Sequence, residues 1–268
     1  MRTDRLIGTI TILLGTAGFT PAQVVVATYG FNNSYAADQG GVPALTPYAP
    51  GTGTLSFATD TVNVGTQSVT RPVLIRGGGN GASQPDQAGA ELTTSSLLSN
   101  PNVYSVEMVF SMDGTGGYQR ILNTNNASDD GLYAINDRVS IYNNGDQTGS
   151  GIFTYGPSTY HHLALTYDGT TAKEYLDGVP DVTQSSTVMA NPNNLMRFFL
   201  DNAGSTSTNE FGPGRVALIR LWDGVLSDSQ VAGLAAAPFA AVPEPGTMVL
   251  TGAVAVGAFI ARRRRQPV

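Results

Sequence analysis

Residues 161–178 read HHLALTYDGTTAKEYLDG, and this stretch decides the fold class. An alternating apolar run, HHLALTY, stops at Asp168-Gly169; a second run, AKEYL, stops at Asp177-Gly178. Period-two alternation is the spacing of a strand, because successive side chains point to opposite faces. Asp-Gly suits tight turns in which the backbone takes positive φ. The stretch therefore predicts an antiparallel hairpin.

The same pattern recurs along the chain. VYSVEMVF (103–110) sets Tyr104, Val106, Met108 and Phe110 on one face against Ser105 and Glu107 on the other. Further predicted strands are QRILN (119–123), GLYAIN (131–136), RVSIY (138–142), GIFTY (151–155), AKEYLD (172–177), LMRFFLD (195–201) and RVALIRLW (215–222). Residues 40–87 are rich in Gly, Pro, Thr and Ser and read as long loops with a strand-like piece, TLSFATDTVNV (54–64), inside them. One short helix is predicted at SDSQVAGLAA, where Ser227 and Gln230 have capping-box spacing. Many short strands without βαβ alternation predict an all-β, antiparallel sandwich or barrel.

Composition narrows the chemistry. With 32 Gly, 15 Pro, 41% hydrophobic and 13% charged residues in 268, the chain is turn-rich but too apolar to be disordered. It has no cysteine, which excludes disulfides, thiolate metal sites and Cys nucleophiles. Residues 23–242 carry eight basic and eighteen acidic side chains, a net charge of −10, and Lys173 is the one lysine. Such a body repels nucleic acid and lacks the cations that phosphate-backbone binding needs.

Both ends read as processing segments. Arg2 and Arg5 precede an apolar run from Leu6 to Phe19, which has the length of a signal peptide, with cleavage by signal peptidase expected after Ala22. At the other end, Gly246–Ala261 carries no charge and is close to the lower limit of a membrane-spanning helix. Arg262, Arg263, Arg264 and Arg265 follow as a membrane stop, favouring the cytoplasmic side. Pro243, Glu244 and Pro245 place a rigid, helix-incompatible segment just outside the bilayer, where a membrane-embedded peptidase could grip it. The expected organisation is a signal peptide over 1–22, a β-sandwich over 23–240 and a sorting tail over 241–268, with both terminal segments helical.

These residues carry two resemblances. VPEP, a short apolar segment and RRRR near the terminus resemble the PEP-CTERM sorting signal of Gram-negative bacteria. That resemblance implies recognition by an exosortase, transient membrane anchoring, removal of the tail near the motif and delivery to the cell surface or its exopolysaccharide matrix. YHHLALTYDGTTAKEYLDGVP (160–180) and GRVALIRLWDGVLSDSQVAGL (214–234) resemble the laminin-G-like, concanavalin-A-like jelly roll. This second resemblance implies two packed antiparallel sheets and, in many members, a structural Ca²⁺ at the rim.

The residues offer little catalytic machinery. Glucanases of this fold use a Glu-x-Asp-x-Glu pattern, yet none of the body's four glutamates, Glu91, Glu107, Glu174 and Glu210, has an acid two residues away. Glu107 is expected to face outward. His161 and His162 are adjacent, so on a strand they point to opposite faces and serve packing and hydrogen bonding. No Gly-x-Ser-x-Gly elbow occurs. NNASDDGLYAIND (125–137) spaces Asn126, Ser128, Asp130, Gly131 and Asp137 like an EF-hand loop but lacks an acid at the first position and a Glu at the last, and reads as a hairpin loop. Asp201 and Glu210 flank a polar loop and are the candidate ligands for Ca²⁺. Most of the 21 Tyr and Phe are expected in the core; some could line a platform for sugar rings, but Tyr133, Tyr142 and Tyr155 are candidates for exposure only because their strands are short, and they define no binding site. The reading is a non-enzymatic, exported binding or adhesion module associated with exopolysaccharide. The alternatives are a glycan-processing enzyme or a passenger domain without a specific ligand.

Overall fold

A computed structural model describes residues 23–49, 51–79, 86–114, 117–124, 130–143, 145–185, 187–201 and 210–242. The signal peptide, the predicted terminal helices, Pro243 to Pro245, Arg262 to Arg265, and Asn126 and Ser128 of the EF-like loop lie outside the described residues. Among the described residues no helix is long and apolar enough to cross a membrane.

The strands are β1 (Val24–Tyr29), β2 (Thr46–Tyr48), β3 (Thr54–Val64), β4 (Gln67–Gly77), β5 (Gly89–Thr93), β6 (Tyr104–Met112), β7 (Tyr118–Asn123) and β8 (Gly131–Ile135). They continue as β9 (Arg138–Tyr142), β10 (Asp146–Thr148), β11 (His161–Tyr167), β12 (Thr171–Leu176), β13 (Val179–Ser185), β14 (Leu195–Phe198) and β15 (Gly214–Asp223), before the helix α1 (Asp228–Ala236). All pairings are antiparallel. The first sheet runs β13-β12-β11-β6-β15-β4-β3, with β1 also on β15; the second runs β10-β9-β8-β7-β14-β5-β2. The two pack face to face as a jelly-roll-like sandwich.

The expected hairpin is β11–β12, paired from Leu163–Leu176 to Tyr167–Ala172. Its turn is held by Asp168, whose Oδ1 accepts from the backbone N–H of Thr170 (2.9 Å) and Thr171 (2.7 Å). The second turn has positive φ at both Asp177 (50°) and Gly178 (84°), as a tight β12–β13 connection requires.

The main core lies between the sheets and includes Val106, Met108, Phe110, Leu132, Ile141, Leu163, Leu165 and Ile219. The first sheet is covered on its outer face as well. There α1 and the residues after it bury one cluster around Trp222, Leu226 and Val231, while Phe239 packs on a second formed by Val73, Val109 and Leu218. The helix begins where expected: Ser227 caps it and exchanges capping-box hydrogen bonds with Gln230.

Three sequence expectations change. GIFTY (151–155) forms no strand; Phe153 is buried, but its N–H donates to Asp137 O (2.8 Å), and the next N–H donates to the His161 ring (3.0 Å). Residues 67–77, read as loop, form a long strand despite Pro72. Pro72 is tolerated because β15 pairs only with Leu74–Arg76, so the segment holding Pro72 has just β3 beside it and needs no second donor. Glu107 does lie on the outer face of its sheet, yet it is fully buried. The cover supplied by the residues after α1 could not be read from strand alternation.

Candidate functional site

The outer face of the second sheet follows from register. Tyr118 lies opposite Ile135, Arg120 opposite Tyr133, Tyr133 opposite Ser140, and Gly131 opposite Tyr142. Tyr118, Arg120, Tyr133 and Tyr142 therefore share one face, while Leu132, Ala134, Val139 and Ile141 point into the core. A register shift between Arg120 and Leu122 restores the inward direction of Leu122.

The three tyrosines touch mutually edge to face. Ring centroids are 5.6 Å apart for Tyr118–Tyr133, 5.8 Å for Tyr118–Tyr142 and 6.1 Å for Tyr133–Tyr142, with interplanar angles of 84°, 80° and 77°. Such contacts are favourable for the ring quadrupole and fix the orientation of each ring. Tyr133 lies buried at the base, while Tyr118 and Tyr142 are half-buried. With Glu210 they line a recess of about 80 Å³.

Arg120 stiffens this cluster from below. Its guanidinium carbon lies 4.2 Å over the Tyr133 ring, Nη1 donates to Asp130 O (2.6 Å), and Nη2 lies 3.3 Å from Asp201 Oδ1 and 3.4 Å from Glu210 Oε2. The guanidinium needs a neighbour without a side chain: a Cβ at Gly131 would stand 2.8 Å from Arg120 Nη1 and 2.8 Å from Leu122 O. Further along the same face, Arg197 pairs with Glu91 (2.6 Å), and Asn123 lies opposite Arg197. The face thus carries oriented rings beside fixed charged donors and acceptors.

The sequence-predicted residues meet unevenly. Tyr133 and Tyr142 converge, but Tyr155 does not join them: it meets Phe153 edge to face (5.2 Å) at the edge of the core, where burial pushes its hydroxyl up to about 12. Tyr118 and Arg120 were not singled out, although their alternation with Gln119 in β7 places both on one face. Asp201 and Glu210 do come together, but around a guanidinium. Ca²⁺ takes six to eight oxygens at roughly 2.3–2.6 Å. Arg120 stands where such an ion would have to sit, so the two carboxylates do not fit the Ca²⁺ site expected of them. No group of three or more His, Asp or Glu side chains suited to a metal occurs among the described residues.

The other ionisable clusters lie elsewhere. His161 Nδ1 is 2.8 Å from Asp177 Oδ2 while its Nε2 accepts from Thr154 N–H (3.0 Å), so both ring nitrogens are engaged in holding the β11 entrance. His162, on the opposite face, meets Glu107 at 3.3 Å. Glu174 is buried on the core side of β12, and neither of its carboxylate oxygens finds a well-formed hydrogen bond. None of these places two carboxyl groups across an open cleft.

Comparison with known proteins agrees with this architecture. Residues 77–232 match the family model of the concanavalin A-like lectin/glucanases superfamily, and residues 241–265 match the PEP-CTERM protein-sorting motif. No curated protein matches the chain. Among solved structures, domain 4 of AbnA, a GH43 extracellular arabinanase from Geobacillus stearothermophilus in complex with arabinotriose, superposes with a TM-score of 0.59 at 18% identity, covering 80% of this chain and 98% of that one. The binding domain of Paraclostridial Mosquitocidal Protein 1 gives 0.52 at 11% identity, covering 79% and 51%. The binding domain of botulinum neurotoxin serotype C1 gives 0.50 at 12%, also covering 79% and 51%. This chain therefore spans about half the length of the two toxin domains, and at these identities the likeness is one of fold.

Proposed function

The chain belongs to the concanavalin A-like lectin/glucanases superfamily, and from that premise we propose that its body is a non-enzymatic module that binds polysaccharide on the outer face of the second sheet. The PEP-CTERM motif marks it as an exported protein sorted to the cell envelope, with processing by an exosortase. The fold itself is shared by binding modules and glycoside hydrolases. In this reading signal peptidase removes residues 1–22, the sandwich acts outside the cell, and the tail from 241 onward is a transient membrane anchor.

One observation carries the binding reading: the Tyr118–Tyr133–Tyr142 cluster, set beside Arg120 and Glu210 on a sheet face. Aromatic rings offer apolar faces to the C–H surface of a pyranose or furanose, and neighbouring charged groups satisfy its hydroxyls. The arabinotriose held by the arabinanase domain of like fold supports a short run of sugar residues as the ligand class. Hydrolysis of a glycoside needs two carboxyl groups flanking the scissile bond with room between them. Here Asp201 and Glu210 close on one guanidinium, an arrangement that favours binding over bond cleavage.

The test is a glycan array and a matrix pull-down with residues 23–242. Binding that falls at least tenfold in Tyr118→Ala and Tyr142→Ala, with no release of reducing ends from the bound glycan, is the expected result. Unchanged binding in both variants, or turnover of the glycan, would overturn the reading.

A further inference from the structure

The residues between α1 and the sorting motif are not a free linker. Ala236 O accepts from Thr66 Oγ1 (2.9 Å) at the β3–β4 turn, Phe239 N–H donates to Gln67 Oε1 (3.0 Å), and the Arg71 guanidinium lies 4.3 Å over the Phe239 ring. Arg220 Nη2 donates to Ala240 O (3.2 Å). Pro238 is buried, and Val242 packs on the cluster around Trp222. Contacts from the β3–β4 turn, β4 and β15 thus hold the stem to within one residue of Pro243.

Arg220 is itself fixed in place. Its Nη1 lies 3.4 and 3.3 Å from the two carboxylate oxygens of Glu107, which also meets His162. A surface arginine would lose several rotatable bonds' worth of entropy in gripping a carbonyl; one already held by a buried carboxylate loses less.

Reach makes this arrangement matter. Residues 243–245, fully extended, span only ~10 Å, whereas releasing residues 237–242 adds ~20 Å. The geometry points to Arg220, Arg71 and Gln67 as positioning residues for the sorting cleavage. They clamp residues 237–242 to the domain, and the stem has to leave the sheet before Pro243-Glu244-Pro245 can enter a membrane-embedded peptidase. Access alone is set by the clamp; the peptidase supplies the chemistry. The inference rests on the sorting motif and is independent of any glycan.

The experiment uses the full-length chain co-expressed with an exosortase. Pulse-chase follows conversion of precursor to processed form, and amide hydrogen exchange on the membrane-extracted precursor follows residues 237–242. In Gln67→Ala/Arg71→Met, exchange in the stem should rise about tenfold while β6 and β11 stay protected, and processing should speed up several-fold. Inserting six Gly/Ser residues after Val242 should accelerate processing of the unsubstituted chain and abolish the difference between it and the clamp variant. Ile141→Val, a core change remote from the stem, should lower Tm without speeding processing.

Equal or slower processing of a clamp variant whose stem exchanges faster would overturn the inference. So would acceleration by Ile141→Val, which would assign the effect to global stability. Continued processing of Pro243→Ala/Pro245→Ala would overturn the sorting-motif reading and the clamp with it, an outcome distinct from both.

Discussion

Arg220 and Glu107 form an ion pair on the outer face of the first sheet, Nη1 to Oε2 3.3 Å, with side chains 7% and 0% exposed. The two residues come from adjacent strands and lie directly opposite each other in register. Burial there removes both charges from water, so Arg220 depends on Glu107 and Ala240 O, and Glu107 on Arg220 and His162.

Arg220→Met should therefore be costly, because it leaves Glu107 buried beside His162 alone. Removing one partner of a buried pair costs about 3–5 kcal/mol, whereas replacing both can be close to neutral. Denaturant unfolding should show the single variant strongly destabilised and Glu107→Gln/Arg220→Met recovering most of the loss. A single-variant cost below about 1 kcal/mol would contradict the pair's structural role.

Glu174 sets a pH dependence of known sign. Burial among apolar neighbours, with Asp181 and Asp177 adding like charge, holds its carboxyl well above the ordinary carboxylate range. The folded state keeps the proton after the unfolded chain has lost it. The contribution is therefore fully present below the unfolded value near pH 4.5 and is lost as pH rises toward the raised folded value. The loss approaches about 1.4 kcal/mol per pH unit within that window. Glu174→Gln should be more stable than the unsubstituted protein at pH 7, and the difference between their stabilities should shrink toward pH 4. A difference independent of pH would show that the carboxyl ionises alike in both states.

Gly131→Ala should weaken glycan binding without unfolding the sheet. At φ 156° the position suits glycine, and the new Cβ would meet the Arg120 guanidinium and the Leu122 carbonyl. Because Arg120 carries Tyr133, its displacement should loosen the tyrosine cluster. Titration with the best array ligand should show at least a fivefold weaker Kd with unchanged far-UV circular dichroism. Retained affinity would mean that Arg120 does not position the rings.

Ca²⁺ should leave Tm unmoved, and so should a chelator, since Arg120 stands between Asp201 and Glu210. A rise of several degrees on adding millimolar Ca²⁺ to residues 23–242 would show a cation site that this pair does not account for.

Ser227→Ala removes the helix cap that Gln230 completes. A loss of about 1 kcal/mol is expected in thermal or denaturant unfolding. Exchange should rise in α1 before it rises in the strands, and an unchanged α1 would place its stability in packing on Trp222 alone.

Much of the sandwich was legible in the chain because strand alternation and Asp-Gly turns are local. HHLALTY becomes β11, TLSFATDTVNV becomes β3, and the Ser227–Gln230 capping box opens α1. The strands that escaped notice, β1, β2, β4, β5, β10 and β13, include short edge strands and three that contain proline, where local signals are weak. GIFTY misled for the converse reason: its pattern suits a strand, but its donors found Asp137 and His161 in place of a ladder.

The amino-acid order alone determined the fold class, the opposed faces of His161 and His162, and the sorting motif, since each depends on residues close together in the chain. Only the tertiary structure decided that Tyr118 joins Tyr133 and Tyr142, that Asp201 and Glu210 close on Arg120, and that Glu107 is buried against Arg220. The last two outcomes depend on partners 81 to 113 positions apart, and the first on the register of β7, β8 and β9. Alternation says which face a side chain takes; what comes to lie against that face is set by how the whole chain packs.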